Sequence, residues 1–204
     1  MNPTGTGKMD ESAQRFRSHI QIVISLLNLH AKYEESANIP DFIKKLRLRM
    51  ELMAETFLLA IAASEQKATV GDTFAAIEKI VARVYESQNG RQCEFAIGDI
   101  AIDQPTLATM GQIFAELLSN IYSRTPPEDA SNRIVVRISL DTAGRIVLSV
   151  RDANFAPGEY VEPLDLLTSR IILELTRSLG GEARFDGQNI YDARLILPKR
   201  AAGV

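Results

Sequence analysis

Cysteine is nearly absent from this 204-residue chain. Cys93 is the only one, so no internal disulfide can form, and a single thiol fits a reducing cytoplasm. Histidine is almost as scarce, with only His19 and His30. No group of residues has metal-ligand spacing, so neither a metal nor another cofactor is expected. No apolar run approaches the ~20 residues that a membrane-spanning helix needs. The first residues, MNPTGTGKM, lack the apolar core of a signal peptide, and residues 1–10 read as a loose tail. TGTGK has neither the full spacing of a phosphate loop nor a strand before it. A surplus of positive charge is missing too: 23 Lys and Arg stand against 26 Asp and Glu, a net charge of -3. That leaves no electrostatic case for nucleic acid. Internal repeats and low-complexity segments are also absent. A cytoplasmic protein with neither nucleic acid nor membrane as partner is the expectation.

What is present is the composition of an ordinary globular protein, 46% hydrophobic and 24% charged, long enough for one large domain or two small ones. The most ordered pattern lies in RFRSHIQIVISLLNLHAKY, Arg15 to Tyr33. Phe16, Ile20, Val23 and Leu27 follow steps of four, three and four, the period of a helix with one buried face. Ile22, Ile24, Leu26 and Leu29 spread apolar surface around the rest of the cylinder. Such a helix needs more than one partner, which suits a bundle core. Ile39-Pro40-Asp41 makes a turn, and a second helix is expected from about Phe42 to Ala63. Its stripe is Phe42, Leu46, Met53, Phe57 and Ile61, and Lys44, Lys45, Arg47 and Arg49 crowd its first half. That basic cluster reads either as a solvated face or as a docking surface for an acidic partner. A hairpin apolar on both helices should pair with a second copy into a four-helix bundle.

A third helix is expected from about Asp72 to Ser87, with Phe74, Ile77, Ile80, Val81 and Val84 inward, before the Asn89-Gly90 turn. The periodicity then changes. CEFAI and the short DIAI read as strands bounded by Gly98 and Asp103, and Pro105 to Tyr122 reads as a helix with proline in its first turn. Arg133–Asp141 and Arg145–Arg151 alternate as a hairpin closed by Thr142-Ala143-Gly144. A last helix from about Leu164 to Leu179 stops at Gly180-Gly181, and EARFD and ARLILP finish the chain. The expected class is therefore α+β. A helical hairpin over 11–68 is followed over 69–204 by antiparallel strands with helices on one face.

IQIVISLLNLH resembles the LQxISSLLxLQ segment of the dimerisation helix in bacterial sensor histidine kinases of the HWE-like kind, and in their histidine phosphotransferase relatives. In that family the segment follows H-R-x-K-N-N, and RLRMELMAETFLLA resembles its second helix. The alignment puts Gln14 at the position of the phosphorylated histidine, with Arg15 and Arg17 keeping the basic character of the motif. The second half resembles the ATP-binding domain of the same kinases, an α/β sandwich. MGQIFAELLSNIYSR carries their E-L-x-x-N motif as Glu116, Leu117 and Asn120. In the family the Asn holds the magnesium that bridges the phosphates, and the Glu helps position water or metal. Ser123 and Arg124 stand at the basic and histidine positions that follow. VRDANFAPG occupies the D-x-G-x-G box, so Asp152 falls where an aspartate would accept a hydrogen bond from the adenine amino group. Asn154 and Ala156 replace the glycines. Thr168 and Ser169 stand where the G-L-G-L lid motif has glycine and leucine, and Asp152 to Leu164 leaves hardly any room for a lid.

These residues also have bland accounts. Glu116 and Asn120, one helical turn apart, are a common solvent-facing pair, and Asp152 suits the end of a strand. His19 lies five residues past Gln14, a rotation of about 140° on an ideal helix, so it does not inherit the acceptor geometry directly. It is either a helix-rim side chain or a shifted phosphoacceptor flanked by Arg15 and Arg17. His30 falls on the bundle-facing stripe. The resemblance runs from about Ala13 to Pro198 and implies a degenerate, pseudokinase-like dimer of bacterial two-component signalling. Its partners would be response-regulator receiver domains or a true kinase, reached through the basic hairpin with Arg15, Arg17, Lys44, Lys45, Arg47 and Arg49. No autokinase or ATPase activity is expected, and Glu116, Asn120 and Asp152 would be vestiges of the nucleotide site. Two alternatives remain open: an active phosphotransferase using His19, and a small-molecule sensor reusing the old nucleotide cleft.

Overall fold

The computed structural model describes residues 43, 47, 49–52, 54, 55, 58, 59, 69–85, 92–123, 133–153, 166–186 and 189–198. The chain divides into two compact units, residues 1–50 and 51–204. The first-helix stretch, with Gln14, Arg15, Arg17, His19 and His30, lies outside the described residues, as do Lys44, Lys45 and the whole apolar stripe expected for the second helix. The residues described between 43 and 59 are helical. Leu52 is buried among them, whereas Ile43, Met50 and Leu58 are exposed.

Helix α1 spans Val70–Val84. It starts two residues before the expected Asp72 and is capped by Thr69. The Thr69 hydroxyl accepts from the Asp72 N–H at 3.1 Å, and the Asp72 carboxylate accepts from the Thr69 N–H at 2.9 Å, a reciprocal capping box. That pairing satisfies two backbone donors at once. The bonds from Thr69 also hold the Asp72 carboxyl below its ordinary pKa. Phe74, Ile77 and Val81 are fully buried, as their spacing requires.

Strand β1 (Gln92–Ile97) leads into α2 (Gln104–Tyr122). DIAI, expected as a strand, is irregular. The Gly98 N–H still bonds the Ile138 carbonyl at 2.9 Å, but Asp103 then caps α2 through Thr106 N–H and Oγ1, both at 2.9 Å. The chain is turning toward a helix N-terminus there, with no strand alongside. In α2 almost every direction is apolar and buried, from Leu107 through Met110, Ile113, Phe114, Leu117 and Leu118 to Ile121. A helix apolar on so many sides belongs inside a layer.

β2 (Arg133–Leu140) and β3 (Ile146–Asp152) form the expected hairpin. Its turn is fastened by Asp141, whose carboxylate accepts from the N–H groups of Ala143 and Arg145 and from Arg145 Nε. α3 (Leu166–Ser178), β4 (Glu182–Asp186) and β5 (Asn189–Leu197) complete the sheet, ordered β1-β2-β3-β5-β4. All neighbours are antiparallel except β1 and β2, which are parallel. The sheet is therefore mixed and not wholly antiparallel as expected. The reason is the connection: α2 carries the chain from one end of β1 back to the start of β2, the crossover that parallel pairing demands.

The end of α3 depends on its glycines. Gly180, at φ 73°, donates to the Arg177 carbonyl, and Gly181 N–H reaches back to the Thr176 carbonyl at 3.0 Å. These are the two bonds of a Schellman cap. A Cβ on Gly181 would stand 2.6 Å from the Ile196 carbonyl oxygen and 2.5 Å from Leu197 Cδ2. Gly181→Ala is expected to destabilise the fold by about 2 kcal/mol, because the backbone of β5 must give way. Urea denaturation measures this, and an unchanged midpoint would show that β4 and β5 part without cost.

Candidate functional site

Five of the expected site residues are described: Arg47 and Arg49 of the basic cluster, Glu116 and Asn120 on α2, and Asp152 at the end of β3. Inward positions of β3 are Ile146, Leu148 and Val150, so alternation puts Asp152 on the same face, under the helices. It is fully buried, and it is engaged by an interaction of its own. Glu116 and Asn120 are half-buried on α2, the helix that packs on β3, α1 and α3. The fold therefore brings Glu116, Asn120 and Asp152 to the interlayer side of the sheet. Asp152 does more than end a strand: it is a carboxylate inside the protein, where a charge is costly without compensation.

Two further polar residues were not singled out from the sequence. Thr109 and Gln112 are buried, and with Glu116 and Asn120 they follow steps of three, four and four along α2. This polar stripe runs down an otherwise apolar helix. Its spacing was available in the sequence, as the one row of α2 that breaks the apolar surround. Thr109, Gln112 and Glu116 are each engaged by interactions of their own. Polar groups held inside a layer are expected to be satisfied in this way.

Thr168, at the glycine position of the lid motif, is buried within α3. Ser123, at the position of the family's basic residue, is the C-cap of α2, and its hydroxyl donates to the Asn120 carbonyl at 2.8 Å. Asn154, Ala156 and Arg124 lie outside the described residues. Of the basic cluster, Arg47 is exposed and Arg49 half-buried, and both are engaged. They belong to the unit of residues 1–50, and the other three site residues to the unit of 51–204.

Cys93 has no role at this site. Its N–H donates to Glu78 Oε1 at 2.8 Å, and burial, with the Glu78 charge beside it, pushes the thiol far above its ordinary pKa. It stays protonated and is a poor nucleophile. Among the described residues no group of His, Cys, Asp and Glu could hold a metal ion, and no helix is long and apolar enough to cross a membrane.

The five-stranded mixed sheet with helices over one face is similar in fold to histidine-kinase ATPase domains. Two solved structures carry the likeness. The blue-light activated histidine kinase of Erythrobacter litoralis EL346 matches 97% of this chain at a TM-score of 0.69 and 16% identity. This chain spans 61% of that kinase's length. The histidine kinase domain from the same protein matches 89% of this chain over 84% of its own, at a TM-score of 0.59 and 14% identity. At these identities the likeness is one of fold. No protein-family model matches the chain, and no curated protein sequence does.

Ser119, between the site residues on α2, has a buried hydroxyl with no hydrogen-bond partner among the described residues. Ser119→Ala removes that unmet group and adds helix propensity, so it is expected to stabilise by about 1 kcal/mol. Thermal unfolding checks this. A lowered melting temperature would mean that the hydroxyl is satisfied in solution.

Proposed function

We propose that this chain is a two-component signalling protein built on a histidine-kinase scaffold without the usual phosphoacceptor. It is a homodimer joined through the N-terminal hairpin, and it binds response-regulator receiver domains or a kinase without phosphorylating itself. The observation that carries this reading is Gln14, aligned with the acceptor histidine in a chain whose fold is that of a histidine kinase. A carboxamide has no lone pair basic enough to attack a γ-phosphoryl group, so even bound ATP would meet no nucleophile at that position.

The second half supports the same conclusion. Asn154 and Ala156 fill the places of glycines, where a Cβ crowds an approaching nucleotide. Thr168 is buried in α3, so this lid position is tied to the packed layer. Asp152, Glu116 and Asn120 keep their motif positions. Asp152 is interior, and Thr109, Gln112 and Glu116 of the α2 stripe are engaged. Scaffold residues of this kind outlast the activity they once served.

Two experiments test the reading. Calorimetry with magnesium-ATP is expected to give no binding tighter than about millimolar, and labelled phosphate is expected not to enter the protein. Micromolar binding, or acid-labile label that disappears in His19→Ala, would overturn it and favour a phosphotransferase using His19. Charge reversal of Arg15 and Arg17 together is expected to weaken receiver binding about tenfold at low salt, since complementary charge drives association. Unchanged affinity in a binding titration would remove this surface from the account.

A further inference from the structure

The sheet has a second face, turned away from the helices, and it carries a row of arginines. In the register, Arg137 on β2 stands beside Ser149 on β3, Ser149 beside Arg194 on β5, and Arg194 beside Arg184 on β4. Arg151 lies two residues beyond Ser149 on β3 and opposite Asp192, and Arg133 lies at the start of β2. Arg133, Arg137, Arg184 and Arg194 are exposed, and Arg151 and Ser149 are half-buried. The described acidic side chains on this face sit at its rim. Glu94 pairs with Arg133 at 3.3 Å, and Glu182 pairs with Arg184 at 2.9 Å. Among the described residues Arg137, Arg151 and Arg194 form no ion pair.

Like charges directly opposite on neighbouring strands destabilise a sheet, and Arg194 faces Arg184 in this way. A chain with a net charge of -3 has nonetheless gathered five arginines on one face. Every basic residue among them is arginine and none is lysine. The planar guanidinium fork matches carboxylates in pairs and is enriched at protein interfaces, whereas a merely solvated face favours lysine. Arg137 and Arg194 flank Ser149 at two strand spacings, roughly 10 Å. Two guanidinium groups and a hydroxyl can close on one carboxylate across that span.

We propose that this open sheet face is a docking surface for an acidic face of a partner protein, with Arg137, Ser149 and Arg194 at its centre. Charge complementarity selects this occupant. The outward described positions hold no aromatic side chain on which bases could stack. Of the larger apolar side chains near the row, Val147 and Ile196 are each only 7% exposed and Val135 is half-buried between Arg133 and Arg137, too little to insert into a lipid surface. All of its residues lie between Arg133 and Arg194 and none belongs to the N-terminal hairpin, so its failure would leave the signalling reading intact.

The test uses the full chain and a fluorescent peptide of about ten glutamates, titrated by anisotropy at about 20 mM salt and again at higher salt. Binding that weakens with salt is expected. Arg137→Ala with Arg194→Ala should lose about tenfold in affinity, while Arg83→Ala with Arg170→Ala, an equal charge change elsewhere, should lose less than about twofold. The melting temperature of the first double variant should be unchanged or raised, because like charges have been removed. Equal losses in both double variants, or no binding at low salt, would overturn the proposal. So would tighter binding to duplex DNA or to phosphatidylglycerol vesicles than to the peptide, or a lowered melting temperature without loss of affinity.

Discussion

Everything described in this fold depends on the burial of α2. Phe114 stands between Phe74 of α1, with ring centroids 4.7 Å apart, and Phe95 of β1, at 6.3 Å and edge-on. One side chain thus ties two helices to the edge strand of the sheet. Burying an aromatic ring of that size contributes about 2–3 kcal/mol, and its ring contacts add about 1 kcal/mol. α2 is also the crossover between β1 and β2, so the contacts that hold it fix the parallel pairing at that edge. Glu78 completes the arrangement from α1 by accepting from the Cys93 N–H, a backbone donor of an edge strand that would otherwise face away from the sheet.

A helix held on so many sides has little freedom to move, and the candidate site is built on it. Thr109, Gln112, Glu116 and Asn120 ride along a rigid element, with Asp152 at the end of a central strand. Such a frame suits the precise placement of polar groups. Asp152 is buried at the end of its strand, and Thr109, Gln112 and Glu116 are engaged within the layer.

The two faces of the sheet obey opposite demands. Ile134, Val136, Ile138, Leu148, Val150, Leu195 and Leu197 turn inward and are buried, so their register is set by the core. On the outward face Val147 and Ile196 are buried as well, but Arg133, Arg137, Arg184 and Arg194 are exposed, and there the chain has collected arginine. Repulsion on that face is tolerated because the inward face supplies the stability of the sheet.

Local periodicity made much of this legible. The existence of α1 and the bounds of α2 and the β2–β3 hairpin follow from apolar spacing and turn residues that act within a few positions of one another, as does the Gly180-Gly181 stop. α1 itself starts and ends two to three residues earlier than its spacing suggests. The polar stripe on α2 was readable from the same spacing. Asp152 was found by its motif, yet its complete burial was not, because burial depends on which elements close over a strand end. DIAI has the composition of a strand and lacks a neighbour. The parallel pairing of β1 and β2, and the row Arg137–Ser149–Arg194–Arg184, bring together residues far apart in the chain. Hydrophobic period is a property of neighbouring residues, and the sequence alone determined it. Register across strands exists only once the chain has closed on itself, so tertiary structure alone decided which charges share a face.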